Sequence, residues 1–255
     1  ESMKVTFLGT GTSQGIPVIA CNCEVCLSGD KKDNRLRTSV LIEVENQTFV
    51  VDTGPDFRQQ MLRENIQKLD AVLFTHEHKD HIAGLDDVRA FNFKQKKDME
   101  IYASDNVIKA LNREFYYAFE SEKYPGVPQL HINQIENKNF KINGVKIVPI
   151  EVMHYKMQVF GFRINNFAYI TDAKTISEIE LQKLKGLDVL VLNALRKTEH
   201  ISHLNLSEAI EWANIIKPKK TYLTHISHLM GRHEDVSIEL PKNIEIAYDG
   251  LQVDL

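Results

Sequence analysis

The segment that most limits how this chain can fold is Ala71-Val72-Leu73-Phe74-Thr75-His76-Glu77-His78-Lys79-Asp80-His81. Its first four residues are apolar and read as a buried strand. The six positions from His76 to His81 then hold three imidazoles and the Asp80 carboxylate. Imidazole and carboxylate are the usual ligands of a catalytic zinc or similar divalent ion. One ion cannot easily take four ligands spaced this closely, whereas two adjacent ions can. The run therefore predicts a dinuclear hydrolytic site at a strand end, to which the fold must bring further ligands.

A chain of 255 residues can bury a sizeable core, and we read residues 3–255 as a single domain. Hydrophobic content of 43% with 26% charged residues places it among soluble globular proteins. The net charge of -4 supplies no basic field, which argues against a nucleic-acid partner. The local basic run Lys94-Gln95-Lys96-Lys97 reads as a solvated helix end. No apolar stretch is long enough to span a bilayer, and the N-terminus carries no secretory pattern. A cytoplasmic protein without membrane contact is the expectation, with Glu1-Ser2 an expression remnant ahead of Met3. Cys21, Cys23 and Cys26 lie within six residues. An odd, clustered set does not read as a disulfide framework and reads instead as part of a metal site.

The hydropathy pattern alternates strands and helices, an α/β plan. Strands are predicted at Val5–Leu8, Ser39–Val44, Thr48–Val51, Ala71–Phe74, Ile101–Ala103, Val145–Ile150, Val159–Ile164, Phe167–Ile170, Val189–Leu192 and Thr221–Thr224. Helices are predicted over Asp56–Ile66, from Ser104 through Leu111, and over Leu206–Ile216 before Pro218. A long loop carries the cysteines. Residues 85–128 hold Phe91, Phe93, Phe115, Tyr116, Tyr117, Phe119 and Tyr124, either as an aromatic core section or as a lid or homodimer face. Asp52, the His76–His81 run, His154, Asp172 and His225 each fall just past a predicted strand. Strand ends at one edge of a layered α/β sheet converge on a common crevice, so these residues are candidates for one site.

His76-Glu77-His78-Lys79-Asp80-His81 resembles the His-x-His-x-Asp-His hallmark of the metallo-β-lactamase superfamily. Asp52 in Val51-Asp52-Thr53-Gly54, His154, Asp172 and His225 follow in that family's order, over nearly the whole chain. The resemblance implies a four-layer αββα sandwich. It implies His76, His78 and His154 on a first ion, Asp80, His81 and His225 on a second, and Asp172 bridging them. Asp52 would orient the His loop rather than bind metal, and it also reads as a turn residue before Gly54; the two roles are compatible. Two divalent ions about 3.5–4 Å apart share a water and lower its pKa toward neutrality. Zinc is the default ion, and manganese or iron tolerate the same ligands.

Cys21-Asn22-Cys23-Glu24-Val25-Cys26 offers three thiolates where structural zinc wants four ligands. His228, three residues past His225, is the best fourth, and the two histidines could exchange roles. This Cys-x-Cys-x2-Cys loop resembles one subgroup, the phosphoribosyl cyclic phosphodiesterases of phosphonate breakdown (PhnP-like proteins). In that subgroup and in ribonuclease-Z-like members a His lies near the scissile group. His203 matches it and would serve as general acid. Arg196 reads as a phosphate contact or a surface charge. The resemblance implies a phosphodiesterase on a small cyclic or linear phosphodiester, with two catalytic ions and one structural zinc. Alternatives are transfer-RNA 3′ processing, as in ribonuclease Z, and a non-catalytic binding protein on a hydrolase fold.

Overall fold

Apolar residues along the central strands alternate between two cores, as a strand's period of two requires. Val40 and Ile42 pack in one core and Leu41 in another, and Phe49 and Val51 are likewise separated from Val50. Leu190 and Leu192 face a third core while Val191 faces the first. A strand buried on both faces needs a layer on each side, and three cores between layers require four layers.

The computed structural model describes residues 2–255, so Glu1 of the expected remnant lies outside it. Its strands are β1 (Met3–Gly9), β2 (Ser39–Val44), β3 (Gln47–Val51), β4 (Ala71–Leu73), β5 (Met99–Ala103), β6 (Leu130–Gln134), β7 (Phe140–Ile142), β8 (Val145–His154), β9 (Met157–Ile164), β10 (Phe167–Tyr169), β11 (Val189–Asn193), β12 (Lys220–Thr224), β13 (Ile244–Ile246) and β14 (Gln252–Asp254). Helices are α1 (Phe57–Arg63), α2 (Lys79–Ile82), α3 (Arg89–Gln95), α4 (Asp105–Glu114), α5 (Glu178–Leu181), α6 (Leu206–Ile216) and α7 (His233–Glu239). They build two seven-stranded sheets, β14-β1-β2-β3-β4-β5-β6 and β13-β12-β11-β10-β9-β8-β7. Phe7, Phe49, Phe162, Phe167 and Tyr169 fill the space between the sheets. Phe57, Val107, Leu111 and Phe115 hold α1 and α4 against the first sheet, and Leu206, Ala209, Ala213 and Val236 hold α6 and α7 against the second. This is the αββα sandwich expected. Each large side chain so buried contributes about 1.5–3 kcal/mol. Among the described residues no helix is long and apolar enough to cross a membrane.

The two halves repeat one plan. The antiparallel hairpin β2–β3 feeds the parallel strands β4, β5 and β6, and the hairpin β9–β10 feeds β11, β12 and β13. Asp52 follows β3, and Asp172 stands at the equivalent place after β10. Both have left-handed backbones, φ 66° and 62°, as does His225 after β12 at 60°. Such a conformation costs a non-glycine residue about 1–3 kcal/mol and persists only where surrounding bonds hold it.

Several elements differ from expectation. The first helix stops at Arg63 because Asn65 turns left-handed, φ 51°. Asp56 spends its carboxylate on the Arg37 backbone N–H at 2.8 Å and guanidinium at 3.0 Å, not on a cap. Strand β8 continues past Pro149 to His154. Strand β7 pairs only with Val145–Ile147, so the missing proline N–H meets no partner strand. Residues 85–128 supply β5, α3 and α4, with Phe91 and Phe115 buried and Phe93, Tyr116 and Tyr124 exposed.

The His run is stitched to the turn beside it. Thr53 N–H donates to the His81 carbonyl at 2.9 Å, and Gly84 N–H donates to the Thr53 carbonyl at 2.8 Å. The approach leaves no room for a side chain: a Cβ on Gly54 would stand 2.3 Å from the Asp80 carbonyl oxygen. Gly54→Ala is expected to lower stability by about 1–3 kcal/mol through this overpacking, read as a drop in Tm by thermal denaturation.

Candidate metal centre

Fully buried Asp52 organises the loop after β4. Its Oδ1 accepts from Thr75 N–H at 2.8 Å, and its Oδ2 accepts from the Thr75 hydroxyl at 2.7 Å. The same Oδ2 lies 2.6 Å from Nδ1 of His81, and the Thr75 oxygen lies 2.9 Å from Nδ1 of His76. A carboxylate on Nδ1 demands the proton there, which leaves the Nε2 lone pair of His81 facing inward. Asp52 therefore sits where an orienting residue must. Thr75, not singled out from sequence, extends its reach to His76.

Inside this frame the nitrogens and carboxylates converge. His76 Nε2 is 3.1 Å from Asp172 Oδ2 and 3.2 Å from His78 Nδ1. His81 Nε2 is 3.2 Å from Asp80 Oδ2 and 3.4 Å from Asp172 Oδ2. His225 Nε2 is 3.0 Å from Asp172 Oδ1 and 3.6 Å from Asp80 Oδ2. Yet the Nε2 atoms of His81 and His225 are buried without a hydrogen-bond partner. Two ring nitrogens this close to carboxylates yet unpartnered are placed where a divalent ion could use them. Ligands of one tetrahedral ion with bonds near 2.0–2.2 Å stand about 3.4 Å apart, so the spacing fits divalent ions.

Three groups could each hold an ion: His76, His78 and Asp172; Asp80, His81 and His225; and His154, Asp172 and His203. Asp172 belongs to two of them and also touches His81 and His225, a position from which it can span neighbouring ions. His154, expected with His76 and His78, has its ring 5.2 Å from His78 but stands closer to His203, at 4.4 Å. His203 thus lies within ligand distance of the cluster as well as at its edge.

Burial disfavours charge throughout, and the balance differs by place. Burial pushes Asp80 up, but His81 and His225 outweigh it and hold the carboxyl below the usual range. Burial lowers His225, yet Asp172 and Asp80 raise it to about 9. At His203, His78 and His154 burial outweighs the nearby carboxylates. It pushes His203 down to about 2, aided by adjacent His225, and it lowers His78 and His154.

The cysteine loop meets its expected partner. The Sγ atoms of Cys21, Cys23 and Cys26 lie 3.3, 3.4 and 3.5 Å from Nδ1 of His228. Bonds of 2.3 Å to sulfur and 2.0–2.1 Å to nitrogen in a tetrahedron give an S···N edge of about 3.5 Å, so these four residues fit one zinc. A backbone N–H from Cys26, against the opposing effect of burial, and then His228 lower the Cys23 thiol to about 6. Burial pushes Cys26 up to about 11.

Arg196 is not among the residues lining the cleft. Its guanidinium donates to the Glu199 carbonyl at 2.6 Å and the Thr198 carbonyl at 3.4 Å, pinning its own loop. Asn193, at the end of β11, clamps both polar groups of Ala173, accepting from its N–H at 2.8 Å and donating to its carbonyl at 2.9 Å. It thereby holds the strained chain at Asp172. An asparagine ending an apolar strand is the only sequence signal it gives. A cleft of about 790 Å³ opens beside the cluster, lined by Glu77, His78, His154, Tyr155, Lys156 and Ser202 among others. A larger hollow of about 880 Å³ lies where the chain ends meet the β2–β3 turn. It contains none of the ligand clusters, so volume does not locate the chemistry.

A family model described as "Beta-lactamase superfamily domain" matches residues 47–226. A crystal structure titled as a new diphosphatase from the PhnP family superposes with a TM-score of 0.94 at 38% identity, covering 100% of this chain and 98% of that one. An octanoyltransferase of Porphyromonas gingivalis is 37% identical over 98% of this chain but only 51% of its own length. A ribonuclease Z of Methanococcus maripaludis is 22% identical over 86% of this chain and 65% of its own. The chain thus spans about half to two-thirds of these curated relatives.

Replacing Asp52 by Asn would leave His81 Nδ1 facing an amide in place of a carboxylate. The Asp52→Asn variant is expected to bind divalent ions about 10–100-fold more weakly, measured by competition with a chelator of known affinity.

Proposed function

Because the chain belongs to the metallo-β-lactamase superfamily, on its PhnP branch, we propose that residues 3–255 form a metal-dependent hydrolase of a small cyclic or linear phosphodiester. The observation that carries this reading is the convergence of six imidazoles and two carboxylates in three ligand groups, two of which include Asp172. It is supported by 38% identity across the full length of a PhnP-family diphosphatase. In this reading His76, His78 and His154 hold one ion, Asp80, His81 and His225 hold the other, and Asp172 spans them. Cys21, Cys23, Cys26 and His228 hold a structural zinc. Zinc or manganese bound at the centre would supply an activated water and neutralise charge on the attacked phosphorus group.

The chain's own residues do the rest. Asp52 and Thr75 lock the His81 and His76 rings so that no reorganisation is needed when substrate arrives. Lys156 and Ser202 at the cleft mouth are placed to meet an anionic substrate. His203 stands at the edge of the cluster, its ring 4.4 Å from that of His154, and is the group this reading assigns to the departing oxygen. The exposed Phe93, Tyr116 and Tyr124 extend the reading to a homodimer, and the setting is taken as cytoplasmic. Acyl transfer, raised by the name of the P. gingivalis relative, has less support. All three cysteines of the chain are in the His228 cluster, so no separate thiol is left to carry an acyl group.

The test is a hydrolysis panel on metal-loaded protein: a bis-aryl phosphate, a ribose cyclic phosphate, a nucleoside diphosphate, precursor transfer RNA and an octanoyl thioester. Turnover of the diesters supports the reading, and turnover of the thioester or the transfer RNA alone would replace it. His203→Ala is expected to lower kcat by about 10²–10⁴ with unchanged metal content by elemental analysis. Loss of an ion in that variant would make His203 a ligand.

A further inference from the structure

His225 is held differently from His81 and His76. His81 has Asp52 on its Nδ1 and His76 has the Thr75 hydroxyl. Nδ1 of His225 is buried with no hydrogen-bond partner. Its ring is flanked by His81, at 5.7 Å, and His203, at 4.8 Å, which limits tilt without fixing where the nitrogen points. Its backbone is left-handed as well, φ 60°, a conformation that relaxes unless the flanking chain is pinned.

The Thr224 carbonyl, on the N-terminal side, accepts from Ala194 N–H at 3.0 Å within the sheet, and the remaining pins lie on the C-terminal side. Ile226 N–H donates to the Thr10 carbonyl at 2.8 Å, and Thr12 N–H donates to the Ile226 carbonyl at 2.9 Å. Ser227 N–H donates to the Leu195 carbonyl at 2.9 Å. The next residue is His228, in the thiol cluster. The segment that grips Ile226 runs on from Thr12 to Cys21, and Val18 N–H reaches Cys26 Sγ at 3.3 Å. Both chains that fix His225 on its C-terminal side therefore end in the same four-ligand knot, which closes them into one loop.

We propose that Cys21, Cys23, Cys26 and His228 are positioning residues for His225, taking the place that Asp52 has for His81. Filling the cluster with a soft divalent ion then sets ion affinity at Asp80, His81 and His225. This rests on the reading that those three residues hold an ion. The other ion, held by His76, His78 and His154 on separate elements, is largely independent of the cluster. A cluster that merely stabilised the fold would weaken both ions alike.

The experiment counts ions rather than turnover. The full chain and its Cys21→Ser and His228→Asn variants are dialysed against buffered zinc, and stoichiometry and affinities are read by elemental analysis. The proposal expects the variants to lose the cluster zinc and one of the remaining two ions to weaken about 10–100-fold, with the other unchanged. His228→Cys, which keeps four soft ligands, is expected to restore the weakened site. Two remaining ions with wild-type affinities, or both weakened equally, would overturn the proposal. Circular dichroism identifies any variant that unfolds. In that case, unmutated protein whose thiols have been blocked with an organomercurial decides between the same results. Wild-type protein that binds only one, thiol-held ion would overturn the dinuclear reading and the proposal with it.

Discussion

The buried carboxylate of Asp52 is the interaction on which the rest of this molecule turns. A charge removed from water is costly unless every lone pair is satisfied. Asp52 meets that condition with a backbone N–H, a hydroxyl and an imidazole, all from the loop after β4. Meeting it dictates the path of that loop, the tautomer of His81 and the inward aim of the nitrogens. The equivalent place in the second half holds Asp172, also buried and left-handed. One structural slot, used twice, gives a carboxylate that faces ring N–H groups and another that faces lone pairs. The difference lies in what each sheet places opposite.

The strained positions show how the sheets are used. Parallel strands end side by side, and a single left-handed residue after β3, β10 and β12 turns the chain across the sheet edge. Strain at Asp172 is offset by the Asn193 clamp on Ala173, and at Asp52 by its own N–H bond to the Leu73 carbonyl at 2.9 Å. Both restraints come from the neighbouring parallel strand. The backbone that builds the sheet thus also positions the ligands, and no long flexible loop carries them.

What the sequence made legible follows the same physics. Strands buried on both faces, such as Val189–Leu192 and Ala71–Phe74, announce themselves by continuous apolar runs. Ligand residues cluster just past them, and the order of Asp52, His76–His81, His154, Asp172 and His225 is that of a known superfamily. The edge strands β6, β7, β13 and β14 were not visible. Each has only a few apolar residues, and pairing partners distant in sequence determine them. The strand predicted at Val145–Ile150 stops short of His154, whereas β8 runs to His154 because β9 pairs with it from Val148 onward. The Asn193 clamp and the free Nδ1 of His225 were out of reach, since both depend on which groups lie opposite in space. Arg196 illustrates the converse: its residue type suggested phosphate, but its nearest acceptors are its own loop carbonyls.

Strand β14 pairs antiparallel with β1, Lys4 opposite Asp254, so the two ends of the chain emerge side by side. They do so next to the β2–β3 turn, at the opposite end of β3 from Asp52 and hence from the cleft. Anything joined to either end leaves the molecule on its far side. A second domain, as long as the unmatched half of the P. gingivalis relative, could be tethered there without shadowing the mouth of the site. The fold therefore accepts fusion partners at its base while leaving its chemistry open to solvent.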